Sequence, residues 1–298
     1  MEGNDLTKAA RIGDLLKERL LRLMPHAGKY PTAIKELSMA RREQAHQTES
    51  CFYKPSLGVI IQGAKRSRIG TREYLYGENQ CMIAGVDMPC IFTITKASAR
   101  QPFLAVSLEL DKGLLARLTR EIQLPMNTGT TQGVSVTDAD PGILDAFLRL
   151  FKVLERTEEL PFLAPVIIRE IHYRLLIGPR NEYMRRLNTG GTQSNQIASA
   201  VDWIREHYKE PLRVETLAEH VHMATSTFHR HFKEVTSLSP LQFHKYLRLH
   251  EAQRLMLAER KDATRASGEV GYESPTQFNR EYKRLFGNPP HKSIARMR

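Results

Sequence analysis

At 298 residues, 41% hydrophobic and 26% charged, the chain has the composition of a globular protein with room for two cores rather than one. Its net charge of +11 favours an acidic partner, nucleic acid above all; yet 195–298 holds 17 lysines and arginines against 12 acids, and the rest 27 against 21, so charge alone does not say which half binds. No run approaches the ~18–20 apolar residues of a membrane span, and MEGNDLTKAARIGDLLKERL lacks the basic-then-apolar order of a secretion signal, so a cytoplasmic protein with no membrane partner is expected.

Leu6, Ile12, Leu15, Leu16, Leu20 and Leu23 recur at helical spacing and predict an amphipathic helix over 5–24, ended by Pro25. Residues 50–110 change character: LGVIIQG, REYLYG, CMIAG, CIFTIT and FLAVSLEL are short runs broken by Gly, Pro, Asn and Asp. Such spacing predicts an antiparallel sandwich or small barrel. Helical patterns return at 112–121, 141–156 and 163–187. The apolar faces of the last two (Ile143, Phe147, Leu150, Leu154; Val166, Ile167, Ile171, Leu175) suit packing on the sheet or a homodimer interface. The small, polar NTGGTQS marks a linker at 189–194 between a domain of 1–188 and one of 195–298. Beyond it every segment reads as helix: 195–208, 214–221, 225–235, 239–258, 262–269, 274–286 and 291–297, with Ala224-Thr225-Ser226 supplying the cap of the third.

Residues 226–240, STFHRHFKEVTSLSP, match 276–290, TQFNREYKRLFGNPP, at an offset of fifty without a gap. One unit occurs twice, and a repeated function is the natural reading. On a helix, Phe228, Phe232 and Val235 share one face with His231 at its edge, and Ser226, His229, Arg230 and Lys233 share the other. The second copy sets Phe278, Tyr282 and Leu285 against Thr276, Asn279, Arg280 and Lys283. Hydrogen-bonding and cationic groups without carboxylates are what base edges and phosphates require. Pro240 to Leu257 is an uninterrupted helical pattern of roughly 27–30 Å, against about 34 Å between successive major grooves on one side of DNA. The four histidines of EHVHMATSTFHRHFKEV do not form a metal site, since His229 and His231 stand about 200° apart on a helix and cannot share an ion.

These residues resemble the AraC/XylS family of transcription activators over 197–297, most closely in VGYESPTQFNREYKRLFGNPPHKSIARMR. The resemblance implies an α+β protein whose all-α C-terminal domain holds two helix-turn-helix units joined by a long helix. It implies double-stranded DNA as partner, with bases read by Ser226, His229 and Arg230 in the first unit and by Pro275, Thr276, Gln277 and Arg280 in the second. Thr225, Lys233, Lys283 and Arg284 would contact phosphates. It also implies an activator, with RNA polymerase as a further partner. Two positions depart from the family pattern: His222 stands where glycine is usual, requiring left-handed backbone from a non-glycine residue, and Gly268 stands where a bulkier side chain is common.

YKPSLGVIIQGAKRSRIGTREYLYGENQCMIAGVDMPC and QPFLAVSLELD resemble the cupin-like N-terminal domain attached to one subgroup of this family, implying a small β-barrel with flanking helices that senses an effector or dimerises. No histidine lies between His46 and His172, so cupin metal chemistry is excluded; no cofactor and no enzyme activity are expected. The alternative, an enzyme whose helical repeat is a protein-interaction module, needs a nucleophile–base or metal constellation in 50–110, and none is present. Tyr53, Val59, Ile61, Tyr74, Met82 and Phe92 are the candidate lining for a small-molecule effector. Cys51, Cys81 and Cys90 are candidate thiol sensors, with Cys81 and Cys90 flanking an expected hairpin, MIAGVDMP.

Overall fold

A computed structural model of the chain describes residues 2–46, 48–122, 131–178 and 182–297. Its N-terminal half runs α1 (Glu2–Leu23), β1 (Gly28–Pro31), β2 (Leu37–Arg42), β3 (Thr48–Tyr53), β4 (Ser56–Gln62), β5 (Ala64–Ile69), β6 (Arg72–Gly77), β7 (Gln80–Ala84), β8 (Met88–Lys96), β9 (Phe103–Glu109), α2 (Lys112–Ile122), β10 (Val134–Asp138), α3 (Pro141–Leu154), α4 (Leu160–Ile177) and α5 (Glu182–Asn188). The C-terminal half is α6 (Gln193–Glu206), α7 (Val214–His220), α8 (Thr225–Thr236), α9 (Pro240–Ala258), α10 (Ala263–Glu269), α11 (Pro275–Phe286) and α12 (Pro290–Met297). Among the described residues no helix is long and apolar enough to cross a membrane.

The strands form two antiparallel sheets, ordered β1-β2-β9-β4-β7-β10 and β3-β8-β5-β6. They stay separate ladders and close no barrel, so the N-terminal half is a sandwich. The expected β7–β8 hairpin does not form: the chain leaves the larger sheet after Ala84 and enters the smaller one at Met88, carrying Cys81 and Cys90 into different sheets. Cys81 pairs with Val59 and Thr137, whereas Cys90 stands opposite Cys51.

The helical layer behind the larger sheet is built on α1 and α3. Leu16 and Leu20 of α1 and Phe147 and Phe151 of α3 are fully buried, each contributing about 1.5–3 kcal/mol of apolar burial. The helix expected over 163–187 is two helices, α4 and α5. On α4, Ile167, Ile171 and Leu175 are buried as expected, but Val166 is 64% exposed and shares an open surface with Phe162, Tyr173 and Ile177.

The linker expected over 189–194 is a short tied turn over 189–192, since α6 already begins at Gln193. The Thr192 hydroxyl donates to Thr189 O (3.1 Å) and Arg186 O, and accepts from Asn195 N as the N-cap of α6. The helical half then packs on the outer face of the smaller sheet, with α9 lying against β3 and β8. A continuous buried core runs from α1 through both sheets to Phe228, Phe232 and Phe243, whereas Leu249, Leu255, Val270, Phe278 and Tyr282 form a core of their own.

Candidate nucleic-acid interface and inter-sheet cavity

The two repeat copies fold as helix–turn–helix units, α7–α8 and α10–α11. The turns match in their hydrogen bonds: Met223 N donates to Ala218 O and Tyr272 N to Ser267 O, each a bond back across the helix end. His222 takes φ 55° where the second copy has Gly271 at φ 87°. The second turn holds one extra residue, Glu273, so the helices that follow fall at the offset of fifty seen in the sequence.

The apolar faces close largely as patterned, with Leu285 of the second copy only half-buried. Phe228, Phe232 and Val235 are buried, as are Phe278 and Tyr282. On the other face Ser226, His229, Arg230 and Lys233 are exposed, with Thr225 half-exposed. Pro275, Thr276, Gln277, Arg280, Lys283 and Arg284 are exposed on α11. Among the described residues no ion pair engages Arg230, Lys233, Arg280, Lys283 or Arg284, while the acids of these helices are occupied. Glu234 pairs with the buried His231 at 3.0 Å. Glu281 takes Lys245 at 2.9 Å, the Tyr272 hydroxyl at 2.8 Å and the Gln277 amide at 3.3 Å.

The linker helix fixes the separation of the units. Its 19 residues give about 28 Å of rod. Ser239 and Gln242 close a capping box at its start. Arg248 ties it to the α6–α7 connection, donating to Lys209 O (2.9 Å) and Glu210 O (2.8 Å), and to the turn of the second unit, donating to Gly271 O (3.1 Å).

Helix ends differ between the copies. Neither α7 nor α8 has a side-chain N-cap: Ala224, not Thr225 or Ser226, occupies the cap of α8, so the hydroxyls expected to cap it lie inside the first turn. In the second unit Asp262 and Ser274 cap α10 and α11. At the C-cap, Ser237 adopts φ 63° after α8 and Gly287 adopts φ 78° after α11.

The N-terminal half braces the first unit. Gly133 N donates to Val235 O at 2.9 Å, and a side chain at Gly70, in the β5–β6 turn, would meet Ser237 O at 2.4 Å. A groove between that turn and α8 is lined by Thr71, Arg72, Arg230, Lys233, Glu234 and Ser237, which brings Arg72 beside the cations of the first recognition helix. Asp87, 1% exposed, forms ion pairs with Lys112 at 3.5 Å and with Arg205 of α6 at 3.4 Å. Sequence patterns gave no sign of Arg72 or Asp87, because each acts across the junction of the two halves.

Between the sheets lies a cavity of about 390 Å³. Tyr53, Val59, Met82 and Phe92 line it as expected, as does Cys51. Ile61 and Tyr74 do not. A register shift between Ile60 and Gln62 puts Ile60 in the lining instead of Ile61. Tyr74 sits two residues along the edge strand β6 from the cavity-lining Tyr76 and borders a separate groove with Gln132 and Tyr183. Lys65 enters the apolar space: its ammonium lies 3.9 Å from the Phe92 ring centre and donates to the Tyr53 hydroxyl at 2.8 Å. Among the described residues no carboxylate pairs with it. No periodicity singled out Lys65, since a lone lysine in a strand reads as a solvated one.

A family model described as the AraC-type transcriptional regulator N-terminus matches residues 33–183, and a helix-turn-helix domain model matches 217–296. The lactose operon transcription activator of Staphylococcus xylosus is 28% identical over 93 residues, 31% of this chain and 33% of that protein. The HTH-type transcriptional activator RhaS of Salmonella heidelberg is 25% identical over 150 residues, 50% of this chain and 53% of that protein. The chain thus spans between a third and about half the length of these curated relatives. A crystal structure of apo ToxT from Vibrio cholerae superposes with a TM-score of 0.61 at 7% identity, over 87% of this chain and 97% of that one. Wild-type ToxT with unsaturated fatty acid bound gives 0.58 at 8% identity, over 87% and 94%. At such identity the likeness is one of fold.

Proposed function

The chain belongs to the AraC-type transcriptional regulators, and on that premise we propose that it is a cytoplasmic, DNA-binding activator whose two helix-turn-helix units enter successive major grooves. The observation that carries this reading is the pair of matched recognition helices whose exposed cations have no ion-pair partner among the described residues. Arg230 and Arg280 are the arginines suited to bidentate contact with guanine, worth about 1–3 kcal/mol of discrimination each. Ser226, His229, Pro275, Thr276 and Gln277 complete the base-facing set, and Thr225, Lys233, Lys283 and Arg284 take the phosphates. Residues 1–188 form the sensing domain and 195–298 the DNA-binding domain, joined through the turn at 189–192 and the start of α6. RNA polymerase is the partner an activator must engage.

The cavity supports a small-molecule effector with an apolar body and an anionic group placed at Lys65; fatty acid bound to ToxT is a property of that protein that this reading extends to a chemically similar class. The open apolar surface of α4, with Phe162, Val166, Tyr173 and Ile177 exposed, supports a homodimer. Dimerisation would help two copies occupy repeated sites.

Selection of bound oligonucleotides, followed by affinity measurements with variants, tests the DNA reading. Arg280→Ala is expected to relax preference at one base position, with a loss of about 10- to 100-fold on the selected site and little on others. Lys283→Ala is expected to weaken binding to all sequences alike and to lower the salt dependence by about one phosphate contact. Equal, sequence-independent losses for both would remove Arg280 from base reading.

A further inference from the structure

Antiparallel β3 and β8 place Cys51 directly opposite Cys90. Opposed residues of antiparallel strands have Cα atoms about 4.5–5.5 Å apart, inside the ~4.4–6.8 Å span that a disulfide requires. Cys51 lines the inter-sheet cavity, and Cys90 lies two residues from Phe92, which lines it too. Burial pushes the Cys90 thiol up, but the facing Cys51 thiol, the Lys65 charge, and the Tyr53 and Ser67 hydroxyls outweigh it and bring Cys90 down to about 7, while Cys51 is pushed up by its neighbour Cys90 and by burial. Cys81 is the internal control: burial, then the charges of Asp138 and Asp140, push it up to about 12.

The strand that carries Cys51 has a second face. Side chains alternate along a strand, so Ser50 and Phe52 point away from Cys51 and Tyr53, onto the linker helix. Ser50 Oγ lies 3.4 Å from His250 Nε2, and the Phe52 ring packs edge-on against Phe243 and His250, with centres 5.7 and 5.8 Å apart. His250 in turn packs against Phe286 at the end of α11, at 5.1 Å. One strand therefore borders the cavity on one side and the helix joining the two DNA-binding units on the other.

We propose that Cys51 and Cys90 are an oxidisable dithiol that organic hydroperoxides reach through the apolar cavity, closing to a cross-strand disulfide that moves β3 against α9. The Cys90 thiolate attacks the terminal oxygen of the hydroperoxide; the S–O bond forms as the O–O bond breaks, and the alkoxide leaves as the alcohol with a proton from solvent. The Cys51 sulfur then attacks the Cys90 sulfenic acid; the S–S bond forms, the S–O bond breaks, and hydroxide leaves as water with the Cys51 proton. Two thiols are oxidised and one hydroperoxide is reduced to alcohol and water.

The test uses the reduced full chain, cumene hydroperoxide as probe, differential thiol labelling with peptide mass mapping, and amide hydrogen exchange. The expected product is a Cys51–Cys90 disulfide with Cys81 still free, Cys90 reacting at least about tenfold faster than Cys81 as its larger thiolate fraction requires. Cys51→Ser should stop at a Cys90 sulfenic acid trapped by dimedone, and Cys90→Ser should give neither product. Oxidation should speed exchange of the α9 amides at 243–253 in the parent chain and leave them unchanged in Cys90→Ser. Absence of the disulfide, oxidation of Cys81 at a similar rate, or an α9 that exchanges identically before and after disulfide formation would each overturn the proposal. None of these readouts requires DNA, so a failure of the DNA-binding reading would show separately, as a reduced protein that binds no selected site. Hydrogen peroxide acting as fast as cumene hydroperoxide would overturn the assignment of the oxidant class.

Discussion

The two helix-turn-helix units are built from one sequence repeat, yet they are stabilised differently. The second is locally complete: Asp262 and Ser274 cap its helices, Gly271 and Gly287 occupy its two left-handed positions, and it has its own core. The first has no side-chain N-cap on either helix and puts His222 and Ser237 where glycine would be least strained. Its core is continuous with the N-terminal half, which also holds its end through Gly133 and the β5–β6 turn. The difference teaches where a signal from the cavity would act: the unit that depends on the N-terminal half is the one that the half can reposition.

The sharpest way to break this comparison is to exchange turn residues. Gly271→His should destabilise by about 3 kcal/mol or more, because a Cβ there would sit 2.1 Å from Lys209 O and 2.9 Å from Arg248, and the φ of 87° adds strain. Denaturant unfolding would show it, and a loss under about 1 kcal/mol would mean the second turn is as tolerant as the first.

The joint between the halves should be acid-sensitive. Burial pushes His250 down to about 4, against an unfolded value near 6.5. Above pH ~6.5 both states are neutral and nothing is lost; as pH falls from there toward 4 the unfolded chain takes a proton the native site refuses, and stability drops by up to roughly 3 kcal/mol. His244, also pushed down to about 4 by burial and then by the nearby Arg248 charge, adds to the same window. Melting temperatures between pH 7 and 4.5 should fall less for His250→Phe, which keeps a ring against Phe52 and Phe286. An unaltered acid slope in that variant would clear His250 of the effect.

Smaller gains should come from repairing the first unit. Ala224→Ser supplies the missing cap, worth about 1 kcal/mol, and His222→Gly relieves left-handed strain of about the same size. The corresponding helix of the second unit already has its cap, so Ser274→Ala should lose what Ala224→Ser gains. If neither repair raises stability, the first unit is not the weaker one.

Much of this was legible in the sequence. The repeat at offset fifty gave both recognition helices, their buried and exposed faces and the long joining helix, because 3.6-residue periodicity is a local signal that packing here does not override. His222 was legible as a left-handed residue because the resembling family usually has glycine there, and it takes φ 55°. What the pattern hid depended on long-range pairing. A bulge in β4 exchanged Ile60 for Ile61 at the cavity, and the crossing of β7 to β8 between sheets made Cys51, not Cys81, the neighbour of Cys90. Arg72 and Asp87 act on the other half of the chain, and period counting along one segment does not see such a contact.

The central claim is that α9 holds two recognition helices at the spacing of successive major grooves. Binding to a duplex carrying both selected half-sites one helical turn apart should therefore be compared with binding to the same duplex with about half a turn, roughly 5 base pairs, inserted between them. The account predicts that the insertion lowers affinity to that of a single half-site, with Arg230→Ala and Arg280→Ala then having unequal effects. Equal affinity for both duplexes would contradict it.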